Sequence, residues 1–149
     1  MISSTLMKIR DADLQDFKFI PPLLKELGYQ PGVSLERTFT EILSSSNMGV
    51  LLAEDDRGTI QGLLSWSFKP QLRFDGPSLE MDEFVVSSKA RGQGAGALLV
   101  EALKERATAW GCSRIIVSTN RERESYQRDF YRKNGFTETH SAIFKIQLK

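Results

Sequence analysis

Residues 90–99 read ARGQGAGALL, which packs Gly92, Gly94 and Gly96 into five positions just before a long helical pattern. Glycine inside a helix costs about 1 kcal/mol relative to alanine, so its placement here needs a reason. A glycine-rich turn leading from a strand into a helix offers backbone N–H groups with no side chains in the way. The first N–H groups of the helix lack intrahelical partners, and the helix dipole adds positive potential. Such a turn suits a phosphate or pyrophosphate. A tight turn without a ligand is the plainer alternative. Just upstream, SLEMDEFVV (78–86) carries Glu80, Asp82 and Glu83, side chains able to attract a cation and accept a proton. Strand alternation puts Glu80 and Asp82 on one face with Phe84, and Glu83 on the other unless a bulge intervenes. A solvated strand edge is the alternative for these acids.

Other reactive residue types carry less. Cys112 is the only cysteine, has no histidine nearby and reads as filler rather than a nucleophile. His140 is the only histidine, which excludes a histidine-rich metal site and leaves a surface or substrate-side role open. Arg121, Arg123, Arg128, Arg132 and Lys133 alternate with Glu122, Glu124 and Asp129, the pattern of a solvated helix face. Trp66, Phe68 and Phe74 read as core, with an acceptor pocket as the alternative.

The elements that must position these residues follow from periodicity. MKIR (7–10) is extended, and Asp11 or Asp13 can cap a helix after it. Pro21-Pro22 interrupts that helical region, and Leu23, Leu24 and Leu27 resume it until Gly28. Ser34 is the expected N-cap of a helix over 35–45, with Leu35, Phe39, Ile42 and Leu43 in register. Strands over 48–55 and 59–68 flank the turn DDRG and form a hairpin. A connection over 69–77 leads to the strand 78–86, and the glycines open a helix over 96–111 ending at Gly111. A strand (113–119), a helix (124–135) ending at Gly135 and one or two closing strands in FTETHSAIFKIQLK complete an order β-α-α-β-β-β-α-β-α-β-β. This is an α/β chain, and no linker, repeat or low-complexity run divides it.

GQGAGA formally satisfies the dinucleotide fingerprint G-x-G-x-x-A, but the context fails. SSKAR separates Val86 from Gly92, and the next strand ends in Ser118, Thr119 and Asn120 instead of an acid. The G-K-[ST] of a P-loop is absent. Arg91-x-x-Gly94-x-Gly96 instead resembles the R/Q-x-x-G-x-G/A motif of the GNAT superfamily of N-acetyltransferases, which binds the pyrophosphate of acetyl-coenzyme A. FVVSSKARGQGAGALL (84–99) is similar to that family's strand-loop-helix unit. FYRKNGF (130–136) resembles its second hallmark on the last helix. The element order resembles the family's along the whole chain, and STN (118–120), FY and FK (144–145) are similar to small-molecule acetylators within it. The sequence departs from many relatives at Gln127, where they carry alanine, and the stretch from Asn120 to Phe130 is long.

The resemblance implies a mixed, mostly antiparallel central sheet flanked by about four helices, as a single domain over 1–149. It implies direct transfer of an acetyl group from acetyl-CoA to a primary amine of a small molecule. A lysine-like amine, pKa ~10.4, is protonated at pH 7, and making it nucleophilic costs ~4.6 kcal/mol, so a proton acceptor is expected. Relatives that use a carboxylate base often carry it near Glu80, with Asp82 and Glu83 as alternates, acting directly or through water. Tyr131 resembles the tyrosine that protonates the departing thiolate. The backbone of Phe84, Val85 and Val86 is expected to bond pantetheine like another strand. The turn Arg91, Gly92, Gln93, Gly94, Ala95 and Gly96, with Asn120, is expected to hold the rest of the coenzyme.

Composition sets outer bounds. The chain has 149 residues, is 40% hydrophobic and 26% charged, and carries a net charge of +1. That suits one soluble domain and gives no general electrostatic case for nucleic acid or an anionic membrane. The N-terminus lacks signal-peptide features, no apolar run spans a bilayer, and a lone cysteine suits the cytoplasm. Met1 and Met7 are both candidate starts, with a ragged leader over 1–6. No metal is expected, and a homodimer is left open. The alternatives are a non-catalytic domain that senses an acyl-CoA, acetylation of a protein or peptide amine, and an unrelated nucleotide-binding α/β domain.

Overall fold

Short apolar stretches separated by turn residues assemble into one sheet. The computed structural model describes residues 6–149, so residues 1–5 of the expected leader lie outside the described residues. The chain divides into two compact units, Met1–Ser118 and Thr119–Lys149.

In the first unit five strands lie in chain order: β1 (Lys8–Asp11), β2 (Met48–Glu54), β3 (Ile60–Lys69), β4 (Ser78–Val86) and β5 (Arg114–Val117). The first four are antiparallel neighbours, and β5 runs parallel to β4. The β2–β3 hairpin turns where expected. Asp55 Oδ1 accepts the N–H groups of Arg57 and Thr59, each at 2.9 Å, and Gly58 takes the left-handed φ of 79° that the turn requires.

Cross-strand partners share a face, which sorts the core into two layers. Val50, Leu52, Leu63 and Val85 face one way and pack with Ile20, Leu23 and Phe39. These last three belong to α1 (Ile20–Leu27) and α2 (Leu35–Ser44). Leu51, Ala53, Leu64 and Trp66 face the other way, towards α3 (Ala95–Ala109), which buries Leu99, Leu103 and Ala107. Leu99 comes so close that a Cβ at Gly62 would lie 3.1 Å from its Cδ1.

The helical N-terminal region selects one of two expected caps and differs from expectation in two ways. Of Asp11 and Asp13, Asp13 is the cap: it forms a capping box with Asp16 over a 3-10 stretch, Leu14–Phe19. Asp11 is instead the last residue of β1 and accepts two bonds from Arg106. Pro21 and Pro22 do not interrupt a helix but open α1, because a proline's missing N–H is an orphan in a first turn anyway. Ser34 precedes α2, but its side chain makes no capping bond.

The second unit holds two corrections. The helix expected over 124–135 is split into α4 (Glu124–Gln127) and α5 (Phe130–Lys133). The break falls at Asp129, whose φ of 62° is incompatible with a continuing right-handed helix. The expected closing strands are not formed. Among the described residues, neither helix nor strand follows Lys133.

Candidate active site

The three carboxylates of β4 are gathered by a bulge. Ser65 stands opposite Glu83, and Trp66 stands opposite Met81, so Asp82 is an extra residue on β4. The bulge reverses the alternation and brings Glu83 to the face that Glu80 and Asp82 occupy. The bonds establish this. Ser65, Ser67 and Lys69 alternate along one face of β3, and each meets one acid. Ser65 Oγ donates to Glu83 Oε1 at 2.7 Å and accepts the Glu83 N–H at 2.8 Å. Ser67 Oγ donates to Asp82 Oδ1 at 3.3 Å, and Lys69 Nζ pairs with Glu80 Oε2 at 2.6 Å. Alternation puts Glu83 on the opposite face unless a bulge intervenes, and the bulge does intervene, set by a cross-strand register that is invisible in a single strand.

Electrostatics separates the three acids. The Asp82 carboxyl is pushed above the usual carboxylate range, first by partial withdrawal from water and then by its neighbours Glu83 and Glu80. The Lys69 ammonium is held above its usual range by the Glu80 bond. Lys69, Ser65 and Ser67 were not expected as site residues. Their signal was period-2 spacing on the strand that pairs with the acids.

Beyond the bulge β4 keeps its register with β3 through Leu64–Phe84, Leu63–Val85 and Gly62–Val86. Its pairing with β5 covers only Ser78–Met81, so the two strands part there. The chain then makes a 3-10 turn, Ser88–Ala90, which takes up most of SSKAR. Glu26 on α1 fastens that turn, with its carboxylate accepting the Ser88 N–H at 3.0 Å and the Ser88 hydroxyl at 3.3 Å.

The glycines follow. Gly92 and Gly94 hold left-handed φ values of 82° and 84°, a conformation that costs other residues about 1–2 kcal/mol. A Cβ on either would meet nothing within 4 Å, so the space beside them is open. Gly94 is the N-cap of α3 and supplies no side-chain cap to the helix's first N–H groups. Ala95 and Gly96 are buried at the helix start, whereas Arg91, Gly92, Gln93 and Gly94 are exposed. The Gln93 N–H already donates to the Ala90 carbonyl at 3.2 Å, which moves the expected donors towards the helix itself.

In the second unit Tyr131 is half-buried on α5. Its ring stands edge-on to Phe130 and Phe136, with centroids 5.4 and 5.8 Å away. Asn120 uses its side-chain oxygen locally, accepting the Glu122 N–H at 2.8 Å. The basic stretch expected to be a plain solvated face has a focus. Arg121, Arg132 and the Tyr126 hydroxyl all bond Glu138, with Arg132 at 2.8 Å, and Arg121 chiefly holds that carboxylate below its usual range. Glu138 lies past the predicted helix, where no periodicity marks it.

The remaining candidates stay apart from this chemistry. Burial pushes the Cys112 thiol up, away from a reactive thiolate. Trp66 and Phe68 pack on Trp110, and Trp66 lies on the α3 face, opposite the three acids. Phe74 lies under the Arg114 guanidinium at 3.7 Å. His140 is exposed.

Comparison with known proteins extends the geometry. A profile of the acetyltransferase (GNAT) family matches residues 12–136. A search of curated proteins finds no match. Among solved structures, the chain is similar to a transcriptional regulator from Bacillus halodurans C-125, with 28% identity, a TM-score of 0.85, 95% of this chain and 100% of that chain covered. It is similar to glucosamine-6-phosphate N-acetyltransferase from Arabidopsis thaliana, with 26% identity, a TM-score of 0.81, and 95% and 98% coverage. An aminoglycoside N-acetyltransferase in complex with CoA, AAC(6')-Iy, shares the fold at 20% identity, with a TM-score of 0.84 and 100% and 99% coverage.

Proposed function

The chain belongs to the acetyltransferase (GNAT) family, and from that premise we propose that it moves an acetyl group from acetyl-CoA directly to a primary amine of a small molecule. One observation carries the proposal. A strand bearing three converged carboxylates runs into a turn whose two left-handed glycines leave open space at the start of a 15-residue helix. The first half suits a cationic amine, and the second suits a pyrophosphate.

In this reading the N–H groups at Gly94, Ala95 and Gly96 face the pyrophosphate, with Arg91, Gly92 and Gln93 beside it. The β4 backbone from Phe84 to Val86 lies along the pantetheine, where β4 and β5 part. Asn120 completes the coenzyme site. A carboxylate among Glu80, Asp82 and Glu83 receives a proton from the ammonium, so the neutral nitrogen attacks the thioester carbon. The C–S bond breaks, its electron pair leaves on sulfur, and Tyr131 protonates the thiolate. The ammonium's second proton restores Tyr131. In this reading residues 1–149 make one acetyltransferase domain, acting in the cytoplasm. Among the described residues, no helix is long and apolar enough to cross a membrane.

Calorimetric titration with acetyl-CoA tests the donor, and saturable binding weakened by Gly94→Val is expected. No saturable heat would end the proposal. Thiol release is then measured against a panel of amino sugars, polyamines, amino acids and peptide N-termini. Tyr131→Phe is expected to lower kcat about 100-fold or more, and an unchanged kcat would remove its role as acid. A second reading, a CoA-thioester sensor without turnover, is favoured by the likeness to a transcriptional regulator. Binding without turnover of any amine would select it, and turnover of peptide amines alone would select a protein or peptide acceptor.

A further inference from the structure

Three carboxylates within four residues cannot all be equally basic, and their partners on β3 set them apart. Glu80 is engaged by a full positive charge, Lys69 Nζ at 2.6 Å. Glu83 is tied twice to Ser65, through its carboxylate at 2.7 Å and its backbone N–H at 2.8 Å. Asp82 has only the Ser67 hydroxyl, at a long 3.3 Å, and stands out from the ladder as the extra residue of the bulge. A carboxylate bonded to an ammonium gives up affinity for a further proton, whereas one flanked by two like charges gains it.

We propose that Lys69 is a positioning residue that withdraws Glu80 from proton transfer, and that Asp82 is the group that takes the acceptor amine's proton. The inference rests on the acetyltransferase reading and refines it. Lys69 also offsets one of three negative charges, which lets two others stay close together on the same strand face. The charged groups facing Asp82 are Glu80 and Glu83 from its own strand and Lys69 from β3. Its raised proton affinity agrees with the geometry. Glu80 keeps a binding role, since its pair with Lys69 is half open to solvent and can share an incoming ammonium.

The proton inventory is closed. The ammonium gives one proton to Asp82, directly or through one water, as its nitrogen forms the C–N bond. Its second proton goes to the thiolate through Tyr131. After the acetylated amine leaves, Asp82 returns its proton to solvent, so one proton is released per turnover.

Carboxyl-carbon NMR titration of the intact protein reads Asp82 without any acceptor. Its carboxyl is expected to titrate above the usual aspartate range. A wild-type Asp82 titrating at or below that range overturns the proposal. Kinetics supplies the second arm, with acetyl-CoA and the best amine of the panel. Asp82→Asn is expected to lower kcat at least 100-fold with KM for acetyl-CoA little changed, and Glu80→Gln to lower it less. Lys69→Met is expected to shift the pH profile of kcat/KM, and Lys69→Arg to restore it. The reverse order of the two acid variants, or a pH profile indifferent to Lys69, overturns the assignment. Absence of turnover in the wild type with every amine would instead remove the acetyltransferase reading, and the proton-transfer role with it.

Discussion

Asp16 and Asp82 are two aspartates that the fold treats in opposite ways. Asp16 is buried, receives a two-pronged bond from Arg10 at 2.8 Å on each arm, and accepts the Asp13 N–H at 2.8 Å. Arg10 is the first cause of its lowered pKa. A carboxylate whose folded pKa lies below its unfolded value of ~3.9 stabilises the protein fully above that value. The contribution is lost as pH falls through the folded pKa. The urea midpoint is therefore expected to drop as pH is lowered from 5 towards 2. Asp16→Asn should cost about 2–3 kcal/mol at pH 7, since it breaks the two-pronged bond from Arg10, which keeps only its pair with Glu54 and the Asp11 carbonyl, and weakens the bond to the Asp13 N–H. It should also flatten that acid slope. A variant with wild-type acid dependence would place the slope elsewhere. Asp82 has the opposite sign. Its raised pKa makes the charged form a burden above the unfolded value, so Asp82→Asn should raise Tm at pH 7 while lowering turnover. Loss of both would mean that Asp82 is structural.

At the scale of elements, the most informative residue is Asp129. Its left-handed φ of 62° ends α4 and starts α5, and so sets the direction of the two-residue step to Tyr131. Aspartate tolerates this conformation, glycine accepts it freely and a β-branched residue does not. Asp129→Gly is expected to match or exceed the wild type in thermal stability, because the exposed pair with Arg132 at 3.3 Å contributes little. Asp129→Val should lose at least about 1 kcal/mol. Equal stability of the two variants would show that the break is not imposed by this residue. The break also shows where sequence reading stops. The strand 78–86, the hairpin and the helix after the glycines were legible because period and turn residues specify them locally. The bulge at Asp82 was not, because it depends on which residue of β3 lies opposite. Neither was the role of Gly49. A Cβ there would lie 2.6 Å from the Trp66 ring, a contact made only when β2 and β3 pair. The glycine loop and the acids were therefore identifiable as types and spacings, while their common face and the Lys69 pair were products of register.

For the molecule as a whole, the end of the chain is the part that sequence pattern and structure describe most differently. Ala142, Phe144, Ile146 and Leu148 alternate with Ile143, Lys145, Gln147 and Lys149, a strand pattern with one apolar face. Phe144 is 93% exposed, and Ile143, Ile146 and Leu148 are exposed as well. Each such side chain gains about 1.5–3 kcal/mol on full burial, so the segment has several kcal/mol available to any surface that covers it. In the first unit β5 ends the sheet, with Ile115, Ile116 and Val117 only half-buried. A segment with a strand's alternation and an edge strand with an open ladder are complementary in backbone chemistry. Two copies of the chain can exchange them around a two-fold axis, which covers the β5 edge of each copy. Sedimentation velocity over a range of protein concentrations is expected to show a dimer. Phe144→Asp combined with Ile146→Asp is expected to give a monomer. A monomeric wild type, or a dimer indifferent to both substitutions, would remove the exchanged strand as the interface.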